Sequence, residues 1–191
     1  MSQIKTIQSL QNHFLIAMPV LSDAYFARSV AFIVEHTKDG AMGIVINQPS
    51  TMTLKEMIEM ADKTLTLPKD IDEKKIVCGG PVHTDRGFVL HSSKPGYVSS
   101  IEVSSEIMVT TSKDILSELG NQKGPEKSVV ALGYAGWDAG QLEQEIQENA
   151  WLTIEADDEV LFDTPVHLIW QAAVNKLGID VWQLTQHSGN A

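Results

Sequence analysis

Several residue types that mark particular protein classes are scarce in this sequence. Cys78 is the only cysteine among 191 residues, so an internal disulfide is excluded. This cysteine content is typical of the reducing cytoplasm, and we expect a cytoplasmic protein. The chain has no apolar run of the ~20 residues that a membrane-spanning helix needs. Its first residues also lack the basic and apolar regions of a signal peptide, so the sequence predicts no membrane segment.

Basic residues are few, and arginine is the rarer of the two basic types. Only Arg28 and Arg86 are arginine among the 14 lysines and arginines, and the net charge is −11. Tight binding to DNA relies on clustered basic side chains that contact phosphates. The longest basic run here is the pair Lys74-Lys75. The sequence therefore disfavours direct DNA binding.

Motifs for catalysis and metal binding are also missing. Gly79–Val82 follows a predicted strand but has the spacing of neither a P-loop nor a dinucleotide-binding site. The histidines show no HxxxH spacing, and a single cysteine excludes CxxC, so no metal site is predicted. Cys78 with His83 or His91 would resemble a thiol nucleophile with its base, but a buried structural cysteine is the commoner case. We predict no catalytic residue, no metal and no cofactor.

What the sequence does contain is an apolar hairpin. Ser29–Glu35 and Ala41–Asn47 are apolar runs, separated by Thr37-Lys38-Asp39-Gly40. The Asp-Gly pair tolerates the positive φ angles of tight hairpin turns. We predict that the two runs pair antiparallel and are largely buried.

Helix signals stand singly between groups of strands. Thr53 and Glu56 form a capping-box pattern at the start of a predicted helix over 54–62. Thr164-Pro165 precedes a second helical pattern, whose apolar stripe should face the sheet and consists of Val166, Ile169, Trp170, Ala173 and Leu177. Because strands and helices do not alternate regularly, we predict an α+β fold with a mixed sheet and flanking helices. We expect residues 1–191 to form one domain, with or without a small subdomain in the middle third.

The two arginines are candidate ligand contacts. An arginine forms rigid, two-pronged hydrogen bonds with carboxylates and phosphates that lysine does not. Arg28 or Arg86 would then anchor an anion. The alternative is structural, because either side chain could instead form an ion pair that fixes two loops.

Two glycine-rich stretches are the other candidates. The first contains Gly79 and Gly80 after a strand, where backbone N–H groups could face an anion. The second contains Gly133, Tyr134, Gly136 and Trp137, which we interpret as a turn between a strand and a helix. Tight turns and aromatic packing are the structural alternative for both stretches. We predict that they form one region with Arg86, with or without Arg28.

The sequence resembles the YqgE/AlgH family of bacterial proteins. The matching segments occur in order along nearly the whole chain and are His13–Pro19, Phe26–Val30, Gly40–Pro49, Gly79–Val82, Asp85–His91, Gly133–Trp137, Gly140–Glu143 and Asn149–Trp151. The resemblance implies an α+β fold with a branched sheet that curls into a partial barrel. It implies a cytosolic bacterial protein without an established biochemical activity, of a family often labelled as transcriptional regulators.

Two classes of function remain open from the sequence. The first is a non-enzymatic regulatory or binding protein that acts through a protein partner or a small anionic ligand. The second is an enzyme or sensor for an anionic small molecule that Arg28 or Arg86 anchors. The absence of a catalytic motif favours the first.

Overall fold

The computed structural model describes residues 8–19, 21, 23–65, 67, 71, 75–119 and 123–178. Its strands are β1 (His13–Ala17), β2 (Val30–Thr37), β3 (Gly40–Val45), β4 (Pro49–Thr53), β5 (Lys75–Cys78), β6 (Val82–Ser92), β7 (Ser100–Glu102), β8 (Ile107–Thr110), β9 (Ser128–Asp138) and β10 (Trp151–Glu155). The α-helices are α1 (Leu54–Ala61), α2 (Gln141–Gln147) and α3 (Ile169–Lys176). The other elements of the described residues are the 3₁₀ helices Lys113–Ser117 and Val166–Leu168 and the π-helix Glu159–Asp163.

The strands form one curled and branched sheet. Its main path runs β10-β1-β2-β3-β9-β6-β8-β7, and every pair along it is antiparallel. A side branch joins β5 in parallel to β9, and β4 pairs with β5. The predicted α+β class with a mixed, branched sheet is confirmed.

The predicted hairpin is present. Strands β2 and β3 pair antiparallel from Ala31 opposite Val45 to Thr37 opposite Gly40. Most of β2 is fully buried because the hairpin lies in the middle of the sheet.

Strand β9 is the branch point of the sheet. Its first half pairs with β5 up to Leu132, and its second half pairs with β3 from Ala135 onward. Between the two halves, Gly133 has a φ of +75°. Residues two apart on a strand normally face the same side of the sheet. Here Leu132 packs in the cluster that contains α1, whereas Tyr134 packs in the cluster that contains α3, so the alternation of side chains shifts at Gly133. The prediction of a turn over Gly133–Trp137 is therefore wrong, because this segment continues the strand.

The helices cover the two faces of the curled sheet. Thr53 caps α1 as predicted: its Oγ1 accepts from the Glu56 N–H at 3.2 Å, and Glu56 Oε2 accepts from the Thr53 N–H at 2.8 Å. Helix α3 buries Ile169, Trp170 and Ala173, as the stripe predicted. Val166 and Leu177 are only partly buried, since the first turn of this segment is a 3₁₀ helix and the last residues reach the surface.

Candidate binding groove

The described residues form a groove with a volume of about 430 Å³. It lies between α1, the start of β6 and the segment that follows β8. The floor is apolar and the rim is polar; the lining residues are Met52, Met57, Met60, Ala61, Thr84, Asp85, Arg86, Gly87, Val89, Thr110, Thr111, Ser112, Lys113, Leu116 and Leu132. Ligand sites commonly combine an apolar pocket of this size with a few polar groups.

Arg86 reaches the groove because β6 bulges out of the sheet. Val82 pairs with Tyr134 and Gly87 pairs with Leu132, so β6 advances by five residues while β9 advances by two. The intervening residues 83–86 are exposed, and His83 has a φ of +47°. Bulges of this kind redirect side chains and are frequent beside functional sites.

Three of the predicted site glycines make this bulge possible. A Cβ on Gly133 would lie 2.5 Å from the Gly80 carbonyl oxygen and 3.0 Å from that of Val82. A Cβ on Gly80 would overlap the carbonyl group of Tyr134, and one on Gly79 would overlap that of Gly133. The backbone before β6 therefore crosses β9 at a distance that no side chain permits. The Gly79 N–H is already bonded to the Leu132 carbonyl at 2.7 Å.

Arg86 is exposed and carries an unpaired charge. Among the described residues, no hydrogen bond or ion pair involves its guanidinium group. The carboxylate oxygens of the neighbouring Asp85 lie more than 4.0 Å from its nitrogens. Tyr134 lies behind the bulge, with its ring 6.0 Å from that of His83 and 5.7 Å from that of Phe88. The structure thus places Arg86 with Gly79, Gly80, Gly133 and Tyr134 in one region.

Methionines form much of the floor of the groove. Met57 is buried on the inner face of α1, Met52 comes from β4, and Met60 is 75% exposed at the groove edge. Methionine is unbranched and polarizable, so it adapts its shape to different ligands. Lys113 closes one end, since its Nζ donates to the Ala61 carbonyl at the end of α1 at 3.0 Å.

A buried polar network supports the wall beneath the groove. The His91 Nδ1–H donates to the Ser92 carbonyl at 2.9 Å, which leaves Nε2 to accept from the Thr110 hydroxyl at 2.8 Å. The Ser100 hydroxyl lies 2.7 Å from that of Thr110. Burial lowers the pKa of His91 below its usual 6.5. Both ring nitrogens are engaged and Thr110 is fully buried, so this network fixes the position of β8 beside the groove.

The remaining candidates lie elsewhere. The Arg28 guanidinium sits 5.0 Å from the centre of the Trp170 ring, and Arg28 does not line the groove. Gly136 is exposed on β9, and Trp137 is buried in the cluster on the side of α2. The indole N–H groups of Trp137 and Trp151 both donate to Glu145 Oε2, at 2.9 and 2.8 Å. These contacts attach α2 to the sheet.

Neither a thiol dyad nor a metal cluster is seen among the described residues. Cys78 is half-buried and its Sγ lies 3.9 Å from the Pro49 carbonyl, while His91 is occupied by its own network. No group of three His, Cys, Asp or Glu side chains in the described ranges is placed to hold a metal ion. None of the described helices is long and apolar enough to cross a membrane.

Sequence reasoning missed the methionine floor. Three of the seven methionines, Met52, Met57 and Met60, fall within nine residues, and this clustering was the available signal. Lys113 could not have been linked to α1 from the sequence, because the two are brought together only by the sheet.

Comparison with known proteins places the chain in a family. A family model described as AlgH-like matches residues 14–182. The chain belongs to the AlgH-like family. Among its relatives, a UPF0301 protein of Pseudoalteromonas translucida is 50% identical over 185 residues, which cover 97% of this chain and 100% of the relative. A UPF0301 protein of Vibrio cholerae is 52% identical over 186 residues, which cover 96% of this chain and 100% of that protein.

Solved structures agree with this AlgH-like assignment. The solution structure of the AlgH protein from Pseudomonas aeruginosa is 46% identical, with a TM-score of 0.80 and coverage of 100% of both chains. A Corynebacterium diphtheriae protein has the same fold at 18% identity, with a TM-score of 0.70 and coverage of 96% and 94%. The family resemblance inferred from the sequence segments is thereby confirmed.

Proposed function

We propose that this AlgH-like protein is a non-enzymatic binding protein that takes an amphipathic anion in the groove between α1 and the β6 bulge. The observation that carries the proposal is the exposed, unpaired Arg86 above a methionine floor. We assign Arg86 as the anion anchor and the residues Gly79, Gly80, Gly133 and Tyr134 as the frame that holds the bulge. Binding would serve regulation, as the family resemblance implies, and the single cysteine supports a cytoplasmic location.

The position of Arg86 favours a binding role over a structural ion pair. A side chain that fixed two loops would have its donors satisfied by carboxylates or carbonyls, and the guanidinium of Arg86 has none within the described residues. Backbone strain at His83 supports the same reading, since a positive φ on a non-glycine residue costs free energy and is common at functional sites. The strain presents Arg86 and Thr84 toward the groove.

The described lining residues of the groove include no cysteine and no histidine, which favours binding over catalysis. The hydroxyl of Thr110 is buried in its network with His91, and the only cysteine does not line the groove. A general base would need to lie within hydrogen-bond reach of a substrate, and the groove offers only Asp85 as a free acceptor from a charged side chain.

The proposal is tested with 1-anilinonaphthalene-8-sulfonate, a fluorescent apolar anion, titrated against the wild-type protein and three variants. Arg86→Gln should weaken binding roughly tenfold, because a charge-assisted hydrogen bond of an exposed side chain contributes near the lower end of the usual range of about 1.5–3 kcal/mol. Arg86→Lys keeps the charge but loses the two-pronged geometry, so its affinity should lie between those of the wild type and Arg86→Gln.

Arg28→Gln is the matched control, because it removes the same charge from an exposed arginine outside the groove. It should leave the affinity unchanged. Equal losses in Arg28→Gln and Arg86→Gln would show a nonspecific charge effect and contradict the proposal, as would unchanged binding in Arg86→Gln.

A further inference from the structure

We infer that the ligand of the groove is a straight-chain amphiphile of about ten to twelve carbons with one anionic head, of which a carboxylate is the simplest. This inference rests on the proposed function, because it takes the groove around Arg86 as the binding site.

The overall charge of the chain argues that an apolar tail is needed. A net charge of −11 repels anions at long range, so a small inorganic anion gains little by approaching. Local attraction at Arg86 is offset in part by Asp85 on the same bulge. Affinity must therefore come largely from apolar contact, while Arg86 sets which end of the ligand lies at the bulge.

The charges along the groove define the direction of the ligand. Arg86 and Lys113 supply positive charge at the bulge and at the end of α1. Past Met60 the groove opens onto a shallow shelf whose charged lining residues are Glu56, Glu59 and Lys63. An anionic head fits at Arg86, and the two glutamates outweigh the one lysine of the shelf, which disfavours a second anion at the far end of the tail.

The floor and the volume define the tail. Met52 and Met57 in the floor and Met60 at the groove edge present flexible, unbranched thioethers that can align with an extended alkyl chain. A volume of about 430 Å³ holds roughly fourteen non-hydrogen atoms if each occupies ~30 Å³, the share of a water molecule in the liquid. After three atoms for a carboxylate group, space remains for about eleven more carbons.

The test is displacement of the naphthalene sulfonate probe by a series of alkyl carboxylates from hexanoate to tetradecanoate, below their micelle concentrations. Affinity should rise about fourfold for each added methylene, which corresponds to ~0.8 kcal/mol, and should level off near twelve carbons. Decanol should bind at least tenfold more weakly than decanoate in the wild type, and the two should bind alike in Arg86→Gln. Decanedioate should bind more weakly than decanoate because of Glu56 and Glu59.

Two further arms identify the head group and the anchor. Asp85→Asn removes a negative charge that repels the carboxylate head at Arg86. The variant should bind decanoate a few-fold more tightly and decanol with unchanged affinity. Decyl phosphate that displaces the probe more strongly than decanoate would assign a phosphate head to the same site. Inorganic phosphate alone should not displace the probe.

The outcomes separate this inference from the proposed function. Binding of the probe that depends on Arg86, without any dependence on chain length among the carboxylates, would overturn the amphiphile and leave the groove as a binding site. Displacement by a hexapeptide with an apolar, free C-terminal residue, but by none of the alkyl chains, would also overturn it. If no compound, including the probe, bound in a way that depends on Arg86, both the proposed function and this inference would be contradicted.

Discussion

The close crossing of β9 by the segment before β6 yields a prediction with a built-in control. Gly133 has a φ of +75° and would bring a Cβ to 2.5 Å from the Gly80 carbonyl oxygen. Gly140 has almost the same φ, +76°, and a Cβ there would meet nothing within 4 Å. The substitutions Gly133→Ala and Gly140→Ala therefore share the backbone strain and differ in the steric overlap.

The expected losses of stability follow from these two contributions. A left-handed conformation costs an alanine about 1–2 kcal/mol, and this loss applies to both variants. Overlap with neighbouring backbone that cannot rotate away adds about 1–3 kcal/mol at Gly133 only. We expect Gly133→Ala to lose about 2–5 kcal/mol in the free energy of unfolding and Gly140→Ala about 1–2 kcal/mol.

Urea denaturation followed by tryptophan fluorescence measures both losses in the same buffer. Binding of the naphthalene sulfonate provides a second readout, since Gly133→Ala should displace the bulge that carries Arg86 and weaken binding, whereas Gly140→Ala should not. Equal losses of stability in the two variants, with unchanged probe binding, would refute the claim that glycine is needed for the crossing.

Three other side chains give further predictions. Trp170 is 7% exposed, and Trp170→Ala should cost about 3–5 kcal/mol in thermal or urea unfolding, whereas Leu168→Ala, at a position 46% exposed, should cost less than about 0.5 kcal/mol. Glu145→Ala leaves two buried indole N–H groups without their acceptor and should cost about 2–4 kcal/mol, while Glu145→Gln keeps an acceptor oxygen and should cost less by urea unfolding. Because burial lowers the pKa of His91, the unfolded chain binds a proton that the folded chain excludes. The free energy of unfolding should therefore fall as the pH drops from about 6.5 toward the pKa of His91 in the folded protein. In His91→Gln, the urea midpoint should depend less on pH over this range.

The fold was largely predictable because its main signals are local. The Asp39-Gly40 turn between two apolar runs and the capping box at Thr53 act within a few residues, so the sequence pattern alone indicates them. The path of β9 was not predictable in the same way. Gly133 looked like the end of a strand, but its positive φ shifts the side-chain alternation within a strand that continues, and only its contact with Gly80 explains it.

The candidate site was predicted in part for the same reason. Arg86 stood out by composition, and the glycines around it stood out as breaks in two strands. The other half of the groove comes from α1 and from Lys113, which the fold brings together over long separations in sequence. Arg28 was equally unusual in the sequence, yet its guanidinium lies over Trp170 and outside the groove, a difference that no local pattern encodes.

The most direct test of the groove as a binding site is an NMR titration of protein labelled at the methionine methyl groups. Addition of the naphthalene sulfonate should shift the resonances of Met52, Met57 and Met60 and leave those of Met18 and Met42 unchanged. The same shifts should require roughly tenfold more probe in Arg86→Gln. Shifts confined to Met18 or Met42, or an identical titration in Arg86→Gln, would contradict a binding site anchored by Arg86.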